Sequence, residues 1–240
     1  MSAAEDLGYQ EKTHELKWVG KNVTRTDGVD KVTGRAQFGA DLIMPGMLFG
    51  AVLRSPHAHA KINGIDTSKV EALKGVKAVI CRDDFADQPS EMIQVGELSV
   101  NIRDVIRNVM AREKAMYDGH AIAAVAATTA AIARKALKLI EVDYEVLPHV
   151  IDVEEAMKPD APLLNEDMFT DGVDPKPDKP SNIAKRLEIK LGDVEAGFAD
   201  ADVVIEREYR TRPVHQGYIE PHACVASYTE DGQGEVWAST

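Results

Sequence analysis

The sequence predicts an α+β protein, on three observations. Short runs of strand length recur along the chain, few stretches carry helical periodicity, and an acidic, proline-rich segment over residues 151–182 separates a longer first part from a shorter last part. With 240 residues, 44% of them apolar, the chain has enough apolar surface to bury a real core.

Residues 1–24 are polar and read as an extended lead-in arm. In "VTRTDGVDKVTGRAQFGAD" the turn dipeptides Asp27-Gly28 and Thr33-Gly34, with Ala36 and Phe38 alternating with Arg35 and Gln37, predict a hairpin-like opening. "MLFGAVLRS", bounded by Pro45-Gly46 and Ser55-Pro56, reads as a strand buried on both faces. In "TSKVEALKGVKAVI" Ser68 and Glu71 have capping-box spacing and Gly75 supplies a stop, so one short helix feeds a strand over residues 76–80.

Over residues 99–112, Ile102, Val105, Ile106 and Val109 fall at i, i+3, i+4 and i+7, the stripe of an amphipathic helix. "GHAIAAVAATTAAIARKALKLIEVDYEVLP" predicts a strand from Ala121, a cap at Thr128 or Thr129, and a helix burying Ile132, Ala133, Ala136, Leu137 and Ile140. A strand running to Pro148 follows it.

Residues 151–182 hold five of the eleven prolines and nine acids against three lysines, a net charge of −6 that is half the total for the chain. Proline and like charge both oppose a compact core, so this segment reads as a surface-hugging linker. Beyond it, "NIAKRLEIKLGDVEAGFADADVVIEREYRT" reads as strand, short helix from Asp193 and strand from Asp202. Two more strands flank the "TEDGQGE" turn.

The net charge of −12 argues against a nucleic-acid partner, because phosphate binding needs clustered Lys and Arg. Cys81 and Cys224 stand far apart without CxxC or Cys/His spacing, which fits a reducing compartment and gives no iron-sulfur or structural zinc signature. No signal-peptide pattern opens the chain and no apolar run approaches the roughly 20 residues that span a bilayer, so a cytoplasmic location and no membrane partner are expected. No GxGxxG or Walker pattern marks a nucleotide phosphate site.

His57 and His59 would share one face of a strand, but no third ligand stands nearby, so no metal site is expected there. Asp118-Gly119-His120 reads as a turn before an apolar strand, and Cys224 as a small thiol in an apolar context. The densest polar cluster is "HQGYIEPH", where period-two alternation would put Gln216, Tyr218, Glu220 and His222 on one face of a strand and Gly217, Ile219 and Pro221 on the other.

Four segments, "RTDGVDKVTGRAQFGAD", "MLFGAVLRSPHAHAKINGID", "AMYDGHAIAAVAATTAAIARKALKLIEVDYEVLPHVID" and "HQGYIEPHACVASY", together resemble the large, molybdopterin-binding subunit of the xanthine dehydrogenase, aldehyde oxidase and carbon monoxide dehydrogenase family. The resemblance implies an N-terminal arm over residues 1–24, an α/β-hammerhead domain over 25–150, the linker over 151–182 and the first strands of the molybdenum-cofactor domain over 183–240. It also implies a molybdenum-pterin cofactor in its cytosine dinucleotide form, with [2Fe-2S] clusters and FAD on partner subunits, and oxidation of a small molecule such as an aldehyde or an N-heteroaromatic.

In the family a glutamine near the molybdenum follows the strand that ends here as "VWAST", and the later glycine-rich segment, pterin-contacting loops and catalytic glutamate do not occur in these 240 residues. The expectation is therefore a truncated first third of such a subunit, inactive and holding no cofactor or metal by itself. Its partners would be the remainder of the subunit, an iron-sulfur subunit and an FAD subunit. No catalytic residue is assigned; Gln216 and Glu220 are expected near the cofactor pocket. A natural small subunit of a split enzyme, or a non-catalytic hammerhead assembly module, are the alternatives.

Overall fold

The computed structural model describes residues 17–239; the start of the expected N-terminal arm, residues 1–16, lies outside them. Two compact units form, one from residues 17–45 together with 211–239, the other from residues 46–210.

The larger unit is built on two three-stranded antiparallel sheets. In the first, β7 (Ala121–Ala127) runs between β1 (Phe49–Arg54) and β3 (Val76–Cys81), in register Ala51↔Val125 and Val79↔Val125. In the second, β2 (Ala60–Asp66) runs between β6 (Lys114–Ala115) and β8 (Glu141–Val146), with Ile62 opposite Tyr144. A separate hairpin pairs β4 (Met92–Val95) with β5 (Leu98–Asn101).

Alternation along β7 decides where the core sits. Ala123 and Val125 face α4 (Ala130–Leu137) and α2 (Ser68–Glu71), packing with Val70, Ala136 and Ile140. Ile122 points the other way and closes a second cluster with Ile62, Ala111 and Ala115. Val70 and Ile122 are fully buried, each contributing roughly 1.5–3 kcal/mol relative to an exposed side chain.

The capping chemistry expected around α4 forms: Thr129 Oγ1 accepts the Ile132 N–H at 3.2 Å. Gly75 ends the α2 turn at φ +98°, a left-handed conformation that favours glycine, and its carbonyl accepts the Thr128 N–H at 2.8 Å. At α2 itself the expected Ser68–Glu71 box is replaced by neighbours one and two residues earlier. Asp66 Oδ1 accepts the Ser68 N–H at 2.9 Å, and Thr67 Oγ1 donates to Glu71 Oε1 at 2.6 Å.

Other expectations are corrected. The predicted opening hairpin is a short helix, α1 (Gly28–Val32), followed by a 3₁₀ turn at Gly39–Asp41; local bonds such as Thr33 N–H to Val29 O at 3.0 Å satisfy the backbone that a hairpin would have paired. β1 is an edge strand with Val52 exposed, not a strand buried on both faces. The predicted helix over 99–112 begins later, as α3 (Ile102–Val109), because residues 98–101 pair with β4 and Asn101 then caps the helix through its Oδ1 to the Arg103 N–H at 3.1 Å. Val105 and Val109 of its stripe remain exposed.

The linker lies on its own unit. Within it are α5 (Val153–Ala156) and a loop closed by Asn182, whose Oδ1 accepts the Leu164 N–H at 3.1 Å while Nδ2 donates to Ala156 O at 3.1 Å and Pro162 O at 3.0 Å. Lys114 Nζ grips both Glu166 oxygens at 2.7 Å, and Arg103 lies 3.3 Å from Asp167. Beyond the linker, α6 (Val194–Ala199) forms with Asp193 as its cap, Oδ1 accepting the Ala196 N–H. The predicted flanking strands over 184–191 and 202–210 are not in a sheet among the described residues, apart from one bridge between Lys185 and Asp171. Leu187, Ile189, Leu191, Val203 and Ile205 are correspondingly exposed.

In the smaller unit, β9 (Cys224–Tyr228) and β10 (Gly234–Ala238) form the predicted hairpin around the Asp231-Gly232 turn. Thr229 anchors that turn, its N–H donating to Gln233 O at 2.9 Å.

Candidate functional site

The polar segment over residues 215–222 is not a strand; pairing begins only at Cys224. The reason is Gly217, whose φ of +72° turns the chain where alternation requires an extended residue. The turn is held by the Gly217 N–H donating to His215 Nδ1 at 3.0 Å.

The turn gathers a different set of side chains from the one that alternation selects. Tyr218 stands between two imidazoles, with its ring centroid 5.1 Å from His215 and 4.7 Å, edge to face, from His222. Its hydroxyl is hydrogen-bonded to His222 Nε2. Gln216 and Glu220 are exposed, and neither is engaged by another described group. The sequence signal for the ring cluster is the i, i+4 spacing of Tyr218 and His222, which strand alternation masks.

The far end of β10 holds this segment. The Ala223 N–H donates to Ser239 Oγ at 3.0 Å, and the Ser239 N–H returns to Ala223 O at 3.1 Å. A Cβ at Gly39 would stand 3.3 Å from that of Ser239, so the 3₁₀ turn can approach the serine this closely because position 39 has no side chain. Beside this junction runs a groove of about 670 Å³ between the 3₁₀ turn and β10, walled by Phe38, Leu42, Ile43, Val236 and Trp237. Among the described residues on its lining the only ionisable group is Asp41, whose Oδ2 accepts the Phe38 N–H at 3.0 Å.

The remaining candidates are dispersed. His57 meets Tyr144 edge to face at 5.0 Å, while buried His59 bonds through Nδ1 to Pro148 O at 2.7 Å, so the two do not converge on one point. His120 is fully buried. Its Nδ1 accepts the Met116 N–H at 3.2 Å and its Nε2–H donates to Arg107 O at 2.9 Å, a bonding pattern that fixes the neutral tautomer; burial holds its pKa below the ordinary histidine value. Cys81 is half-buried and its thiol is pushed up by that burial, whereas Cys224 is exposed. A smaller cleft of about 200 Å³ under the linker is lined by Arg107, Arg112 and Lys114 against Glu113, Glu166 and Asp167, and these charges largely pair with one another.

Chemically, the smaller unit offers the unengaged Gln216 amide and Glu220 carboxylate, and the hydrogen-bonded ring cluster of His215, Tyr218 and His222, beside an apolar groove. Among the described residues no group of three or more His, Cys, Asp or Glu is placed to hold a metal ion. No helix among them is long and apolar enough to cross a membrane.

Comparison with known proteins matches residues 33–148 to the aldehyde oxidase and xanthine dehydrogenase a/b hammerhead domain, and residues 175–240 to the molybdopterin cofactor-binding domain. The chain is 37% identical over 216 residues to a probable xanthine dehydrogenase subunit of Bacillus subtilis, covering 90% of this chain and 26% of that protein. It is 36% identical over 236 residues to the carbon monoxide dehydrogenase large chain of Afipia carboxidovorans, covering 95% and 28%. Among solved structures, quinoline 2-oxidoreductase from Pseudomonas putida 86 superposes with a TM-score of 0.72 at 30% identity, covering 92% of this chain and 27% of that one. The chain thus spans about a quarter of the length of these relatives.

Proposed function

From a chain that belongs to the aldehyde oxidase and xanthine dehydrogenase family, as an N-terminal portion of its molybdopterin-binding subunit, we infer a part of a molybdenum hydroxylase that oxidises a small organic molecule. The observation that carries this reading is the order of the two family matches, a hammerhead domain over residues 33–148 followed from residue 175 by the start of a cofactor domain. The substrate class is an aldehyde, an N-heteroaromatic or a related small molecule. The relatives named above are a xanthine dehydrogenase, a carbon monoxide dehydrogenase and a quinoline oxidoreductase, so oxidation of small molecules is their common ground.

When bound, the molybdenum-pterin group supplies a redox metal able to take two electrons from the substrate carbon; [2Fe-2S] clusters and FAD on partner subunits would carry them away. The residues of this chain have a supporting part. Gln216 can donate and accept through its amide and Glu220 can accept from a ring N–H, so these two free side chains are assigned to hydrogen-bond the pterin. The Ser239 junction keeps their segment against β10, and the groove walled by Phe38 and Trp237 keeps one side apolar. The larger unit presents the linker and the hammerhead sheets to the rest of the assembly. Cytoplasmic assembly fits the two free cysteines. An assembly module without catalysis is the less favoured reading, because the relatives are themselves oxidoreductases.

Metal analysis tests this reading. The 240-residue chain purified alone is expected to hold far less than one molybdenum per chain, and the full-length subunit close to one. In the full-length subunit, Gln216→Ala and Glu220→Ala should lower pterin occupancy, read by fluorescence of the released oxidised pterin. Stoichiometric molybdenum on the isolated chain, or undiminished pterin in both variants, would overturn the assignment.

A further inference from the structure

The β1–β7–β3 sheet has two faces, and both are apolar. One packs under α4 and α2. On the other, Ile122 is covered at the start of β7 by Ile62 and Ala115, but past it a trough of about 200 Å³ is lined by Gly50, Ala78, Ile80, Ala124, Val125 and Ala126 and carries almost no polar surface, with Val52 paired to Ala124 beside it. Val52 and Ile80 are 41% and 38% exposed, and no atom beyond its chain neighbours lies within 4 Å of where a Cβ on Gly50 would stand. An antiparallel sheet with one wet face alternates apolar with polar residues, as β8 does with Glu141, Asp143 and Glu145. β7, by contrast, reads Ala-Ile-Ala-Ala-Val-Ala-Ala, the composition of a strand covered on both sides.

We propose that this open face is the docking surface for an α-helix of the same subunit, contributed by polypeptide outside these 240 residues. The inference rests on the family reading above. Three observations select the occupant. Four of the six trough residues are glycine or alanine, so a helix carrying larger apolar side chains can approach closely, whereas a second sheet would need side chains long enough to interdigitate across roughly 10 Å. The patch has six residues, against roughly 20–30 a side in a stable interface between separate proteins, so its occupant is held by chain connectivity and not by this surface alone. The relatives are more than three times as long as this chain, which provides the polypeptide.

The test places a photoreactive benzoylphenylalanine at Ile80 in the full-length subunit within its purified complex. The expected result is an adduct inside the same polypeptide, mapped by mass spectrometry to an apolar helical peptide beyond residue 240. An adduct to another subunit, to a second copy, or to residues 17–45 or 211–239 overturns the proposal, and so does an incorporated label that cross-links to nothing. Ala124→Asp gives an independent arm. It should leave the melting temperature of the 240-residue chain within about 2 °C of wild type, because the new carboxylate meets solvent there, and cut the soluble yield of the full-length subunit at least tenfold. Equal yields overturn the proposal. Molybdenum in the wild-type complex is measured alongside: its absence sinks the family-based function while leaving the cross-link result to be judged separately.

Discussion

His120 offers the sharpest test of how the larger unit is held together. Its ring is fully buried, stacks on Tyr117 at 4.4 Å and satisfies two backbone groups, the Met116 N–H and the Arg107 carbonyl. His120→Ala removes both partners at once. A buried group left unpaired costs roughly 1–3 kcal/mol, so the pair costs roughly 2–6 kcal/mol before the lost ring packing is added. Urea unfolding followed by circular dichroism at pH 7.5 should show a lower midpoint with an unchanged slope. The pH dependence has a definite sign. With a folded pKa below the unfolded one, the unfolded chain binds the proton more readily, so this contribution is present above the ordinary histidine range and lost as pH falls through it. A loss under 1 kcal/mol for His120→Ala, or wild-type stability that rises from pH 7.5 to pH 5.5, would refute the reasoning.

Three further outcomes are expected. Lys114 holds the Glu166 carboxyl below the usual carboxylate range, so the contact is present at neutral pH and is lost as pH falls below that range; Lys114→Met should speed proteolytic cutting within residues 160–180 at pH 7 and abolish the pH dependence of cutting. The exposure of Glu166 limits the stability change to about 1 kcal/mol or less. Gly75→Ala places a Cβ 2.7 Å from Ile132 Cδ1 at a left-handed position and should cost roughly 2–4 kcal/mol in urea unfolding, with Ile132→Val recovering part of the loss. Asn182→Ala orphans the Leu164 N–H and two carbonyls and should raise amide exchange at Leu164 at least tenfold while leaving that of Val125 unchanged.

The strand-helix-strand run over β7, α4 and β8 is legible in the sequence because each of its signals is local: an apolar run, a threonine cap and an i, i+3, i+4 stripe. α1 escapes a sequence reading because Asp27-Gly28 and Thr33-Gly34 read as turns, and nothing in the five residues of the helix outweighs that. β4 and β5 are hidden because a four-residue hairpin strand gains its identity from pairing, which composition does not record. At the site, alternation holds only for extended backbone throughout 215–222. One glycine in the left-handed region is enough to exchange the expected row of Gln216, Tyr218, Glu220 and His222 for a ring cluster of His215, Tyr218 and His222. The Gly39–Ser239 approach joins positions 200 residues apart and has no sequence signature at all.

The three hydrogen bonds of Asn182 make the linker loop a closed ring whose tip carries no structural duty. Doubling the length of a flexible loop between fixed ends costs only about 0.6 kcal/mol. Residues 175–179, with the ends already tied by Asn182 and by the backbone bonds of Ser181 and Asp171, are therefore where this chain can accept an inserted epitope or fluorescent domain without loosening either sheet.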